Sequence, residues 1–178
     1  MNTLDDAWNW YVSTRQNLMR MNRLARKYWN DLPWEKEIGR DDEFRLLEGD
    51  DVRTETERSL EFIDDLAIVV LFSVFEQVVR SHVQIEAAAE VDKILHPILR
   101  KAAGDAIEQI ETGSFARVVE PYKPAGNADL IEEVNQVRRY RNWVAHGRRG
   151  EQPPIVDPKT AYQRLSRLLI VIGAGGGS

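Results

Sequence analysis

From Leu4 to Leu32 an apolar or aromatic residue returns every seven positions: Leu4, Tyr11, Leu18, Ala25 and Leu32, with Trp8, Met21 and Tyr28 filling in beside them. Seven residues are two turns of α-helix, so these side chains share one stripe. No stretch of the chain alternates with the period of two that a half-buried strand requires. A helical period without a strand period confines the chain to an all-α fold, a bundle of four or five helices.

The first helix is predicted over residues 4–30 and ends before Pro33. Arg15 and Asn22 interrupt its apolar face and are expected to be interior polar contacts. Trp8, Trp10, Tyr28 and Trp29 suit a core better than a docking face, because aromatic stripes at helical spacing are usually buried. Residues 31–53 are acidic, hold Gly39 and Gly49, and read as a connector or a poorly packed segment. Thr54 opens a Thr-Glu-Thr-Glu run that suits a helix N-terminus, where carboxylates favour the positive end of the dipole. That helix should continue to about Ala89. Its middle, Leu66 to Val79, is apolar nearly all round and should be the most buried element.

Pro97 suits a helix start, giving a short helix over 97–111. Residues 112–127 hold Gly113, Pro121, Pro124 and Gly126 and are predicted as loop with at most one turn. A further helix runs from about Asp129 to Ala145 or His146, with Gly147 as its stop. Residues 147–157 are loop. Asp157-Pro158, a cap followed by a first-turn proline, starts the last helix. Ala161, Leu165, Leu168, Leu169 and Ile172 form its buried stripe, and Gly173 ends it. The expected organisation is one helical domain over 1–173, with the acidic connector at 31–53 and a flexible tail at 174–178.

The 178 residues include no cysteine. A disulfide framework, a thiolate zinc site, an iron–sulfur cluster and a cysteine nucleophile are thereby excluded, and a reducing, cytoplasmic setting is the expectation. The longest apolar run, Leu66 to Phe75 with Ser73 inside it, is half the roughly 20 residues that a membrane-spanning helix needs, so no membrane partner is expected. The N-terminal residues show neither the basic nor the apolar region of a signal peptide, and none is expected. A net charge of −5 argues against a bulk polyanion binder, but it hides an asymmetry. Residues 31–65 hold 14 acidic against five basic side chains, whereas residues 66–178 hold 13 acidic against 14 basic.

Common phosphate-loop, nucleophile-elbow and zinc-helix motifs are missing. The residues three before His82, His96 and His146 are Val79, Lys93 and Trp143, so the Glu-x-x-His of a di-iron bundle is missing too. His82, Glu86 and Glu90 share a helix face, but that spacing reads better as a solvated face than as a cation site. No cofactor or metal is expected.

One segment stands apart. Residues 138–149 carry Arg138, Arg139, Arg141, Arg148, Arg149 and His146, and no acid. On a helix Arg138, Asn142 and His146 fall on one face, and Arg139 lies two turns before His146. Arg141 is odder. The apolar stripe runs Leu130, Val134, Val137, then Arg141, then Val144 and Ala145. Arg141 thus fills a slot where the 3.6-residue period calls for an apolar side chain. A cation there must be paired or used, because an unpaired buried charge is costly. Glu76, on the apolar helix, is the candidate ion-pair partner and supporting residue.

Arg141-Asn142-Trp143-Val144-Ala145-His146 resembles the Arg-x4–6-His motif of the HEPN superfamily, the higher eukaryotes and prokaryotes nucleotide-binding proteins. A polar residue directly after the arginine is the commonest form of that motif. Family members are small all-α bundles with the motif near the end of a late helix, and Phe75-Glu76-Gln77-Val78-Val79-Arg80 looks like the family's second core helix. The resemblance in pattern covers most of residues 54–172, and its specific part is six residues. Arg139 also fits, at the longer spacing; Asn142 and the interrupted stripe favour Arg141. In the family's toxins paired with a nucleotidyltransferase antitoxin, the motif continues His-x-Tyr. Here that position is Arg148, so that regulation is not implied.

The resemblance implies a metal-independent endoribonuclease, a toxin or an antiviral defence effector, acting on RNA as a homodimer, with an antitoxin or regulatory protein as a further partner. RNA carries its own nucleophile, the 2′-OH. A histidine titrates near neutrality and suits acid–base work, and an arginine clamps phosphate bidentately. The implied roles are His146 as general base or acid, Arg141 as phosphate clamp and Asn142 as positioner, with Arg138, Arg139, Arg148 and Arg149 binding the RNA backbone. One histidine in the basic cluster for two proton transfers favours a site shared by two chains. The alternatives are a non-catalytic member acting as dimerising scaffold or nucleotide sensor, and a plain helical adaptor.

Overall fold

A computed structural model describes residues 3–125 and 127–174 of the chain, and no strand occurs among them. The helices are α1 (Leu4–Lys27), α2 (Asp42–Arg45), α3 (Gly49–Val91), α4 (Pro97–Thr112), α5 (Phe115–Val119), α6 (Ala128–Ala145) and α7 (Pro158–Val171). Short 3-10 turns occupy Trp29–Asp31, Ile38–Arg40 and Glu120–Ala125. None of these helices is long and apolar enough to cross a membrane. Contacts divide the chain into two compact units, Trp8–Ala67 and Met1–Ala7 with Ile68–Ser178.

In the unit Trp8–Ala67, Tyr11, Ile63 and Ala67 are buried, and Trp8, Trp10, Val12, Leu18 and Leu60 pack against them. The polar interruptions of α1 do contact α3, but at a half-exposed margin rather than in the interior, the Arg15 and Asp64 side chains each being 40% exposed. Arg15 Nε and the Tyr11 hydroxyl both donate to Asp64, at 3.1 and 2.8 Å. Asn22 Nδ2 donates to the Thr56 hydroxyl at 2.9 Å. The predicted stripe is only partly inward, since Met21 and Tyr28 are exposed. α1 also stops three residues short of the expected end. Tyr28 leaves helical geometry (φ −130°, ψ 1°), and the turn after it buries Trp29. Trp34 follows, its indole N–H donating to the Trp29 carbonyl. α3 begins at Gly49 rather than Thr54, with Asp50 and Asp51 in its first turn. Only glycine fits there, because a Cβ at Gly49 would lie 2.8 Å from Trp29 Cγ. Thr54 is instead inside the helix, bonding back to the Asp50 carbonyl.

The second unit holds the larger core. Ile68, Leu71, Phe72, Phe75 and Val79 of α3 are buried, as are Ile131, Val134 and Val137 of α6 and Ala161, Leu165 and Leu168 of α7. Each large side chain buried there contributes roughly 1.5–3 kcal/mol. The predicted α7 stripe is buried throughout, and Asp157 caps the helix as expected, accepting from the Thr160 backbone N–H at 3.0 Å. The segment 112–127 departs from the prediction. α5 and the turn Glu120–Ala125 make its described part largely helical, because Phe115, Val118 and Val119 bury one face. Phe115 meets Phe72 and Phe75 edge-on, at 5.4 and 5.6 Å between ring centres. Gly126 and residues 175–178 of the expected tail lie outside the described residues.

Candidate functional site

α6 forms because Leu130, Ile131, Val134, Val137 and Tyr140 recur at helical spacing and bury one face. Its end is a Schellman closure. The Gly147 N–H donates to the Val144 carbonyl at 3.0 Å, and the Arg148 N–H to the Trp143 carbonyl at 2.8 Å. Gly147 takes φ 74°, and Arg148 follows it into the left-handed region at φ 58°, where a side chain is strained. The closure turns the chain sharply after His146, the C-cap residue.

Arg141 lies half-buried in the slot that the period reserves for an apolar residue. Its guanidinium stands over the Phe72 ring, 5.6 Å from the centroid. Nη1 donates to Asn142 Oδ1 at 3.0 Å, and Nη2 reaches the Ser73 hydroxyl oxygen at 3.4 Å. Ser73 spends its own proton on the Val69 carbonyl, leaving that oxygen as an acceptor. Nε is buried without a hydrogen-bond partner. Both acceptors are neutral, and Arg141 forms no ion pair among the described residues.

Glu76 is engaged elsewhere. It accepts from Arg80 Nη2 at 2.6 Å and from Nε at 3.1 Å. Arg80 also donates to the Ile110 and Gly113 carbonyls and so caps the end of α4. The expected Glu76–Arg141 pair is therefore replaced by an i, i+4 pair within α3.

The other motif residues fall into two groups. Asn142 turns its oxygen to Arg141, which leaves its amide hydrogens free to donate outward. His146 is exposed, and its imidazole makes no hydrogen bond or ion pair among the described residues. Arg149 is likewise exposed. Arg138, by contrast, donates to Asn135, and Arg139 is paired with Glu132. Arg148 stands 5.8 Å over the Trp143 ring, whose indole N–H is buried without a partner.

Several features went unpredicted. Phe72 and Ser73 hold Arg141 from α3, and Ser73 was visible as the lone polar break in the apolar run. His82 serves structure: its Nε2 lies 2.7 Å from the Ile172 carbonyl, at the end of α7, and 3.3 Å from Glu86. No group of three potential metal ligands gathers among the described residues. In the unit Trp8–Ala67 a polar depression of about 740 Å³ lies beside Trp29 and Trp34. Arg26, Lys27, Arg45 and Arg53 line it, and so do Asp31, Glu48 and Asp50, so its charge is nearly balanced and selects no ligand. No protein-family model, curated protein or solved structure matches this chain.

Proposed function

We propose that the chain is a metal-independent endoribonuclease of the HEPN type, cutting single-stranded RNA at a site completed by a second copy of the chain. The observation that carries this reading is the half-buried Arg141 guanidinium, bonded to the neutral oxygens of Asn142 and Ser73, five residues before an exposed His146. A dianionic phosphorane is the kind of ligand such a donor set stabilises, because charge builds on the non-bridging oxygens as the 2′-oxygen bonds to phosphorus.

In the proposed reaction the 2′-oxygen attacks the adjacent phosphorus and its proton passes to one His146. The 5′-oxygen leaves with a proton from the His146 of the second copy. The products are a 2′,3′-cyclic phosphate and a 5′-OH, so every atom of the substrate is accounted for. Arg141 clamps the non-bridging oxygens, and the Asn142 amide donates beside it. In the same reading Arg149, which is exposed, holds the flanking backbone.

Purified protein incubated with mixed RNA in EDTA tests this. Wild type should cleave, His146→Ala should not, and DNA of the same sequence should survive because it lacks the 2′-OH. Light scattering should give about twice the 20.5 kDa chain mass. RNA binding without cleavage at any pH favours the adaptor reading instead.

A further inference from the structure

Next to Arg141 a second feature of α3 is left open. Ser73, Glu76, Gln77, Arg80, Ser81 and Gln84 line a shallow groove of about 340 Å³. They fall on one face of a helix whose other residues in this stretch are apolar apart from His82, and Ser73 also touches Arg141. The groove and the motif arginine thus share a residue, and the groove runs on from there for about three turns, roughly 16 Å.

The charges in this groove are already spent. Glu76 and Arg80 bind each other, and two further Arg80 donors go to main-chain carbonyls. That leaves Gln77, Ser81 and Gln84, none of which is bonded to a protein group among the described residues. A row of cations would serve phosphate. Neutral amides and a hydroxyl instead match the mixed donor and acceptor edges of a nucleobase, each glutamine offering both. Single-stranded RNA exposes those edges for reading, whereas a duplex hides them.

Resting on the proposed ribonuclease reading, we infer that this groove is the base-reading subsite of the same site. It receives the nucleotide next to the phosphate held by Arg141, and Gln77 and Gln84 set which base is preferred. Specificity is thereby separated from charge: Arg141 holds any RNA, and the groove selects among sequences.

The test is fluorescence anisotropy with four 2′-fluoro homopolymers of A, C, G and U, which bind as RNA but carry no 2′-OH to react. Wild type should spread their Kd values by about fivefold or more, the worth of one or two hydrogen bonds. The double variant Gln77→Ala/Gln84→Ala should bring the four within about twofold while leaving the salt dependence unchanged. Ser81→Trp, which fills the groove from an exposed position, should do the same. Arg141→Ala should instead weaken all four alike and lower the salt slope by about one. A spread that survives both groove variants, or four equal Kd values in wild type, overturns the inference. So does a drop from dimer to monomer mass in the groove variants, which would assign this face to a second copy. A wild-type base preference without cleavage of natural RNA would leave the subsite standing and remove the nuclease reading; cleavage without base preference would do the reverse.

Discussion

Arg141→Met separates a residue that builds the fold from one that serves a ligand. Methionine keeps the stem of the side chain against Phe72 and can make a sulfur–ring contact there. The change removes one hydrogen bond of good length, to Asn142, worth about 1 kcal/mol in a half-buried setting. The 3.4 Å contact to Ser73 is at the limit of a hydrogen bond and adds little. The cation over the Phe72 ring adds about 0.5–1 kcal/mol. Against these losses, the variant no longer buries an unpartnered Nε, a cost of about 1–3 kcal/mol. The two sides cancel to within roughly 1 kcal/mol, so Tm should move by less than about 4 °C in either direction. Cleavage of mixed RNA in EDTA should fall by about 10²-fold or more, as when an oxyanion donor is lost. Breaking a buried ion pair would instead cost about 3–5 kcal/mol. A Tm drop above about 6 °C, or undiminished cleavage, refutes the reasoning that Arg141 is held in reserve for an anion.

Other substitutions probe the scaffold around it. Glu76→Ala strands the Arg80 guanidinium, which is only 16% exposed, and should cost about 2–3 kcal/mol by urea unfolding, more than Arg141→Met. Gly147→Ala meets no steric obstacle but must adopt φ 74°, so it should lose about 1–2 kcal/mol and fray the helix end that carries His146, visible as faster amide exchange at Arg148. Asp157→Ala removes the α7 cap and should cost about 1 kcal/mol at pH 7. The Thr160 hydroxyl, and then backbone N–H groups, hold the Asp157 carboxyl below the usual carboxylate range. Its contribution is therefore complete above about pH 4 and is lost as pH falls through the lowered pKa, so the gap in urea midpoints should narrow toward pH 2.

Where the fold was readable in the sequence, the cause was local. Asp157-Pro158 specifies a helix start by cap chemistry and a fixed φ, and α7 begins there. Gly147 likewise ends α6 through a backbone geometry that it alone tolerates cheaply. The misreadings occurred where tertiary burial outweighed local punctuation. Gly113, Pro121 and Pro124 signalled loop, yet Phe115, Val118 and Val119 at i, i+3, i+4 had a cavity edge of Phe72 and Phe75 to fill. Thr54 looked like a helix opening because carboxylates follow it. The true start depends on Trp29, twenty residues away in sequence, folding down onto Gly49. Nothing in residues 49–54 alone carries that information.

The site divides in the same way. That Arg141 is out of place follows from the 3.6-residue period, and the structure leaves it in that slot. Its supposed partner was misassigned although the sequence held the better answer: Glu76 and Arg80 stand four apart on one helix, the spacing at which such pairs form. Once Glu76 is committed to Arg80, Arg141 has only the neutral oxygens of Asn142 and Ser73. An apolar residue in that slot would cost nothing in desolvation, so a half-buried guanidinium with no carboxylate contributes little to holding the helices together. A half-buried cation of this kind stays open to solvent and to an added anion. In the proposed reading that anion is an RNA phosphate, whose geometry matches a guanidinium and an adjacent amide, and the proton carrier is His146, five residues further along α6.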